Sequence, residues 1–193
     1  MTPAQFQTLF ATKLREFQRY ADTELPRHIG KIAVDHYRDN FHLSGFMDEQ
    51  LEPWKQSKRI GQSKNAAGSY GTLLSSRNEL MNSIRFEAFS RRTVVKSGKP
   101  YSRIHNEGGV INQNITITDK MRRFAWAKYY EANPNGQGDE GGQWKGLALT
   151  KKTAITRTIN MPKRQFMGRS AVLNGLIQAR IQKDLKRILL TKK

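Results

Sequence analysis

The chain has 193 residues, no cysteine, and 34 lysines and arginines against 16 acids, for a net charge of +18. That length suits a single domain, 1–193, with a buried core, and the lack of cysteine excludes disulfides, thiolate zinc sites and cysteine nucleophiles. No apolar run approaches the roughly 20 residues of a membrane span and no signal-peptide pattern opens the chain, so the expectation is a soluble protein with no membrane partner. The charge is uneven: residues 144–193 hold thirteen bases and one acid, Asp184, a net of +12, whereas 101–143 hold five of each. Such a concentration implies an acidic partner, whether nucleic acid, an anionic membrane face or an acidic protein surface, against the plainer reading of a solvated basic face.

Thr2-Pro3 forms an N-cap and first-turn pair, and Phe6, Leu9, Phe10, Leu14, Phe17, Tyr20 and Ala21 recur at helical spacing. Leu25-Pro26 is expected to break this helix, and Ile29, Ile32, Ala33, His36, Tyr37 and Phe41 predict a second one to about residue 40. Together these make an N-terminal helical region, 1–42, whose aromatic stripes read as core or subunit contact rather than a cofactor box. Over 43–77 the periodicity dissolves into glycine, serine, glutamine and lysine, which predicts a flexible arm or loop. Trp54, beside Lys55, Lys58 and Arg59, reads there as an anchor for docking a partner. The glycine-bounded run 61–68 is no phosphate loop, because Gly68 is followed by Ser-Tyr instead of lysine and a hydroxyl residue.

The remainder, 78–193, reads as an α+β core. Alternation predicts strands over 83–89 and 93–96, with Arg91-Arg92 at the turn between them. Pro100 sets φ for a short helix on which Tyr101, Ile104 and His105 share a face, and Gly108 and Gly109 supply the positive φ that ends it. His105 and Glu107 have the residue types for a metal pair or a shared proton, but a helix C-terminus with a polar exposed end fits better. The four histidines, at 28, 36, 42 and 105, have no paired carboxylates at helical spacing, so no catalytic residue, cofactor or metal site is assigned. An extended run over 110–118, a helix capped by Thr118-Asp119, a Gly-rich tip at 133–143 and a strand over 154–161 ended by Pro162 follow in order. The clearest helix closes the chain at 169–190, on an apolar stripe from Val172 to Leu189. The expected class is α+β: a small antiparallel sheet packed by N-terminal and C-terminal helices, with long loops.

Several of these pieces combine. Gly71-Thr-Leu-Leu74 with Leu80-Met-Asn-Ser-Ile84, then Tyr101-Ser-Arg-Ile-His-Asn-Glu-Gly-Gly109, then Pro162-Lys-Arg-Gln-Phe-Met-Gly168 before a closing helix, resemble in order and spacing the phage virion morphogenesis family, tail-completion proteins of Mu-like phages and prophages. The chain departs from a compact member in a long insertion around 112–152. The resemblance implies a structural virion protein without catalysis at the head-tail joint, in tail completion or the neck, found in the virion and in the host cytoplasm during assembly. It implies a homo-oligomeric ring that meets other virion proteins: the tail terminator, tail tube or neck proteins. In that setting Tyr101, Ile104, His105, Gly108 and Gly109 form a structural junction and Pro162, Phe166 and Gly168 a turn, with Phe166 either a core plug or an intersubunit contact. DNA passing the ring's lumen would account for the basic excess, with Lys151, Lys152, Arg157, Lys163, Arg164 and Arg169 as its contacts or those of an acidic partner. The alternative is a nonspecific DNA-binding module built on the basic C-terminal segment.

Overall fold

A computed structural model describes residues 1–61, 66–138 and 140–190. They form two compact units, one from Met1–Gly108 with Pro162–Lys193 and one from Gly109–Met161. The class is α+β as expected, but the strands lie in three separate two-stranded antiparallel ribbons rather than one small sheet, each strand pairing only with its own return.

In the first unit, α1 (Pro3–Arg19) starts in a capping box: the Thr2 hydroxyl accepts the Gln5 N–H at 3.3 Å and the Gln5 side-chain oxygen accepts the Thr2 N–H at 2.9 Å. The expected break at Leu25-Pro26 does not occur. Pro26 has no N–H for the Asp22 carbonyl, and its ring crowds that oxygen. The helix therefore widens into a π turn over Tyr20–Glu24, with the Leu25 N–H reaching the Tyr20 carbonyl, and continues as α2, Leu25–Leu43. Ser44 ends it in the left-handed region at φ 53°, a little beyond the expected end.

α2 is the element on which the first unit is built. Gly30 lies where a Cβ would come within 2.2 Å of the Phe86 ring, so only glycine lets α2 lie this close to the ribbon of β3 (Ile84–Phe89) and β4 (Arg92–Ser97). That ribbon runs from Ile84 opposite Ser97 to Phe89 opposite Arg92. Arg92 thus belongs to the strand and not to the turn, where Arg91 alone of the two takes φ 56°. A shorter ribbon, β1 (Gly45–Met47) with β2 (Leu51–Pro53), opens the 43–77 stretch, and further along the Arg59 guanidinium donates to the Gly71 and Leu74 carbonyls. Residues 62–65 of the glycine-bounded run lie outside the described residues. With α3 (Glu79–Asn82), these elements enclose a core of Val34, Phe41, Leu80, Ile84 and Phe166.

α7 (Ala171–Leu190) closes this unit. Asp48 Oδ1 accepts the Ala171 N–H at 2.7 Å and Ser170 Oγ accepts the Leu173 N–H at 3.0 Å, so the helix start is capped from two sides. Its apolar stripe is only partly used: Leu173 is buried, whereas Val172, Leu176 and Leu189 are exposed. The other buried residue on α7 is the acid Asp184, 3% exposed. Its carboxylate accepts from Arg180 Nε at 2.7 Å, the Tyr20 hydroxyl at 3.0 Å and His28 Nδ1 at 3.0 Å, while Arg180 also donates to His28 Nε2 at 3.0 Å. Because a guanidinium can only donate, Nε2 accepts from Arg180 and the Nδ1 proton faces the carboxylate.

In the second unit, β5 (Gly109–Thr116) and β6 (Ala154–Met161) form a ribbon of two eight-residue strands, from Gly109 opposite Met161 to Thr116 opposite Ala154. The Thr156 and Thr158 hydroxyls donate across it to the Asn114 and Asn112 side-chain oxygens at 2.8 and 3.1 Å. α5 (Asp119–Ala132) starts at the expected Thr118 cap. A second helix, α6 (Gly142–Leu149), was not expected: its start falls in the expected Gly-rich tip, 133–143, and Gly142 and Gly146 are poor helix formers. It forms because it packs on α5 around Ala125, Tyr129 and Ala148. The Tyr129 hydroxyl donates to the Gly138 carbonyl at 3.1 Å and Asn133 Nδ2 donates to the Tyr129 and Glu140 carbonyls, which ties the Gly-rich tip down; Asp139 of that tip lies outside the described residues.

Candidate functional site

Two of the three stretches that carry the resemblance meet in one joint. α4 (Ser102–Glu107) has Tyr101 at its N-cap, and Gly108 and Gly109 follow it at φ 75° and 140°, both in the region that favours glycine. Pro100 sits in the turn before the helix, where the Ser102 N–H donates to the Lys99 carbonyl at 3.0 Å, so α4 starts slightly later than its φ alone suggests. Tyr101 and His105 meet edge to face at 6.0 Å.

Opposite α4 runs an irregular interior segment, 164–168, in which Arg164 is 8% and Phe166 0% exposed. Buried backbone without regular structure must find partners elsewhere. Here α4 and its neighbours supply them. The Arg164 N–H donates to the His105 carbonyl at 2.8 Å, and the Phe166 and Met167 N–H groups both donate to Asn106 Oδ1 at 2.9 Å. Asn40 Nδ2 donates to the Phe166 carbonyl at 3.1 Å, Trp54 Nε1 to the Gln165 carbonyl at 2.7 Å and the Tyr37 hydroxyl to the Gly168 carbonyl at 2.8 Å. Asn40, Asn106 and Tyr37 were missed by sequence reasoning. The only available signal was an amide inside an otherwise apolar-spaced helix, which asks for a partner.

This geometry changes several sequence expectations. The polar end of α4 is not exposed as a whole: Glu107 is, and pairs with Arg103 at 2.9 Å, but Asn106 turns inward. His105 is half-buried, and burial, then the nearby Arg164 charge, hold its pKa below the usual imidazole value, so it stays neutral. Its Nδ1 has no hydrogen-bond partner among the described residues. Trp54 is no free anchor, since its ring stands edge-on to Phe41 at 5.5 Å and its N–H is taken. Phe166 is a core plug, tilted against Phe41 at 5.1 Å. Arg164 is not available to DNA or to an acidic partner, because its guanidinium points inward to the Lys55 and Gln56 carbonyls, and burial, with Arg59 nearby, lowers its pKa from the ordinary value.

The other five basic candidates are exposed, and none pairs with a carboxylate among the described residues. They fall in two groups: Lys151, Lys152 and Arg157 in the second unit, Lys163 and Arg169 in the first. Among the described residues no group of three or more histidines, aspartates and glutamates is placed to hold a metal ion. None of the described helices is long and apolar enough to cross a membrane.

The outward apolar surface is concentrated on α1. Phe6, Leu9, Phe10, Leu14 and Phe17 are 55, 48, 60, 46 and 44% exposed, and Phe6 and Phe10 stack at 6.3 Å. By contrast Thr12, Lys13 and Glu16 are less exposed, and Lys13 Nζ donates to the Ile188 carbonyl of α7 at 2.6 Å. α1 therefore lies on α7 by its polar side, with its apolar stripe turned away from the unit. An inward joint that holds the fold and an outward apolar helix are features of a protein that works through contacts with other proteins.

The chain belongs to the phage virion morphogenesis family, whose model matches residues 6–186. The match runs from α1 into α7 and spans the whole of the second unit. Membership gives the chain a structural part in phage or prophage virion assembly, in company with other virion proteins. No curated protein and no solved structure matches it significantly.

Proposed function

We propose that this protein completes the tail or neck at the head-tail joint, assembling into a homo-oligomeric ring that meets the tail terminator, tail tube or neck proteins, with no catalytic step of its own. It does so in the virion, after assembly in the host cytoplasm. The observation that carries this reading is the orientation of α1. A helix on the surface of a self-sufficient monomer turns its apolar stripe inward; α1 turns it outward, with five large apolar side chains 44–60% exposed. Fully burying such a side chain is worth about 1.5–3 kcal/mol, so covering the remaining exposed half of five of them leaves on the order of 5 kcal/mol available to an interface. Phe10 is at the centre of that stripe. Phe10→Asp is expected to weaken self-association at least tenfold by light scattering while leaving the circular dichroism of the chain unchanged, because the side chain is 60% exposed and the ring it stacks on, Phe6, is exposed as well. An oligomer of unaltered mass and affinity would remove α1 from the interface.

A second reading is favoured by the exposed cations Lys151, Lys152, Arg157, Lys163 and Arg169, which pair with no carboxylate among the described residues: nonspecific contact with DNA, either in the lumen of the ring or as a module in its own right. If all five engage phosphates, the logarithm of the binding constant falls with the logarithm of salt concentration at a slope of about −4 to −5. Absence of duplex binding at low salt ends this reading.

A further inference from the structure

Among the described residues the β5–β6 ribbon is open on both outer edges, and it buries neither face. β5 and β6 hydrogen-bond to each other, and no other strand among the described residues pairs with either. In an antiparallel pair half of each strand's N–H and C=O groups point away from the partner. Each strand therefore carries a row of unpaired groups along eight residues. All sixteen residues are exposed or half-exposed, with Val110 at 60%, Ile111 at 36% and Ile155 at 38%. A two-stranded ribbon that buries neither face is marginal in water.

Open edges are ordinarily guarded by lysine, proline or a bulge. These are not. β5 has no charged residue, β6 has only Arg157, neither has proline, and the register runs without a bulge from end to end. A chain with net charge +18 repels its own copies over most of its surface, whereas the sixteen residues of the ribbon carry a single charge, Arg157. The two outer edges are also equal in length and complementary by construction, since every strand edge offers donors and acceptors in alternation.

We propose that the outer edge of β5 in one copy pairs with the outer edge of β6 in the next, head to tail, so that the ribbons of successive copies join into one continuous sheet. The proposal rests on the oligomeric reading above and names its contact. Head-to-tail pairing satisfies both edges with a single kind of interface and sets one Arg157 in each; pairing β6 with β6 would bring two Arg157 side chains together, and pairing β5 with β5 would leave β6 open.

The absence of cysteine makes the test clean. Asn112→Cys on β5 is co-expressed, under a different tag, with a full-length chain carrying Thr156→Cys, Thr158→Cys or Asn160→Cys on β6, and the mixture is oxidised. The expected result is a disulfide between the two differently tagged chains for at least one β6 position. Asn112→Lys with Asn114→Lys guards the edge and is expected to abolish the oligomer, whereas Ala127→Lys with Gln143→Lys, which adds the same charge to exposed positions on α5 and α6, leaves it intact. An oligomer that gives no β5–β6 disulfide, or that survives the edge lysines, overturns the ribbon contact and leaves the oligomeric reading standing. Disulfides only between two Asn112→Cys chains overturn the head-to-tail arrangement. Disulfides that need an added tail-tube protein carrying its own cysteine assign the edge to that partner and overturn pairing between copies. A chain that stays at monomer mass overturns the contact and the oligomeric reading together.

Discussion

Phe166→Ala is expected to destabilise the first unit by about 3–5 kcal/mol and to lower its thermal midpoint by roughly 10 °C or more. The ring is 0% exposed and belongs to the five-residue core cluster with Phe41 and Ile84. The size of the loss follows from what holds the backbone around it. Asn106 accepts the Phe166 N–H and Asn40 donates to the Phe166 carbonyl, so the segment cannot sink into the cavity that alanine would leave. Asn106→Ala makes the comparison: it leaves the ring in place but strands two partly buried N–H groups, and is expected to cost about 2–3 kcal/mol. Thermal denaturation followed by circular dichroism checks both. A Phe166→Ala loss below about 1 kcal/mol would contradict its place as the plug of the core.

Asp184→Asn is expected to cost about 2–4 kcal/mol at neutral pH. The substitution keeps the shape but removes the charge that Arg180, His28 and Tyr20 converge on, and Arg180, 35% exposed, recovers part of its loss from water. The pH dependence is a second signature. Burial pushes the Asp184 carboxyl up, but the hydrogen bonds from Arg180 and Tyr20, with the Arg180 charge, outweigh it and hold the group below the ordinary carboxylate value. A carboxyl depressed on folding contributes stability that is present above its unfolded pKa, about 4, and is lost as pH falls through the lower folded value. The difference between the native chain and Asp184→Asn should therefore be full at pH 6–7 and shrink in acid, measured by chemical denaturation at each pH. A difference that stays constant down to pH 3 would contradict the pairing. At the alkaline end, burial, then the hydrogen bond to Asp184, push the Tyr20 hydroxyl up to about 12, so its contribution is present below the usual phenol value and fades only above it.

The local signals in the sequence translate well. The Thr2 and Thr118 caps start helices where their side chains can accept an N–H, the 154–161 alternation is β6 to the residue, and both glycines after α4 take the positive φ for which glycine is suited. What was hidden depends on partners distant in sequence. Pro26 reads as a break because the π turn that absorbs it is a property of the continuous helix and not of the dipeptide. Glycines 142 and 146 conceal α6, which exists because α5 is there to pack on. Asp184 looked like one acid among many bases, and its role is set by Tyr20 and His28, more than 150 residues earlier. The periodicity of α1 showed that it had an apolar stripe; which way the stripe faces is decided by Lys13 and α7. For the site, the two junction segments were legible as segments, but the amides that lock them, Asn40 and Asn106, were not.

In the proposed function this chain works as part of an oligomer at the head-tail joint. Light scattering of the purified chain, alone and with tail-tube protein, tests it most directly. The expected mass is a multiple of the 22.2 kDa chain and falls in Phe10→Asp. A mass of 22.2 kDa at every concentration, unchanged by the tail-tube protein, would contradict it.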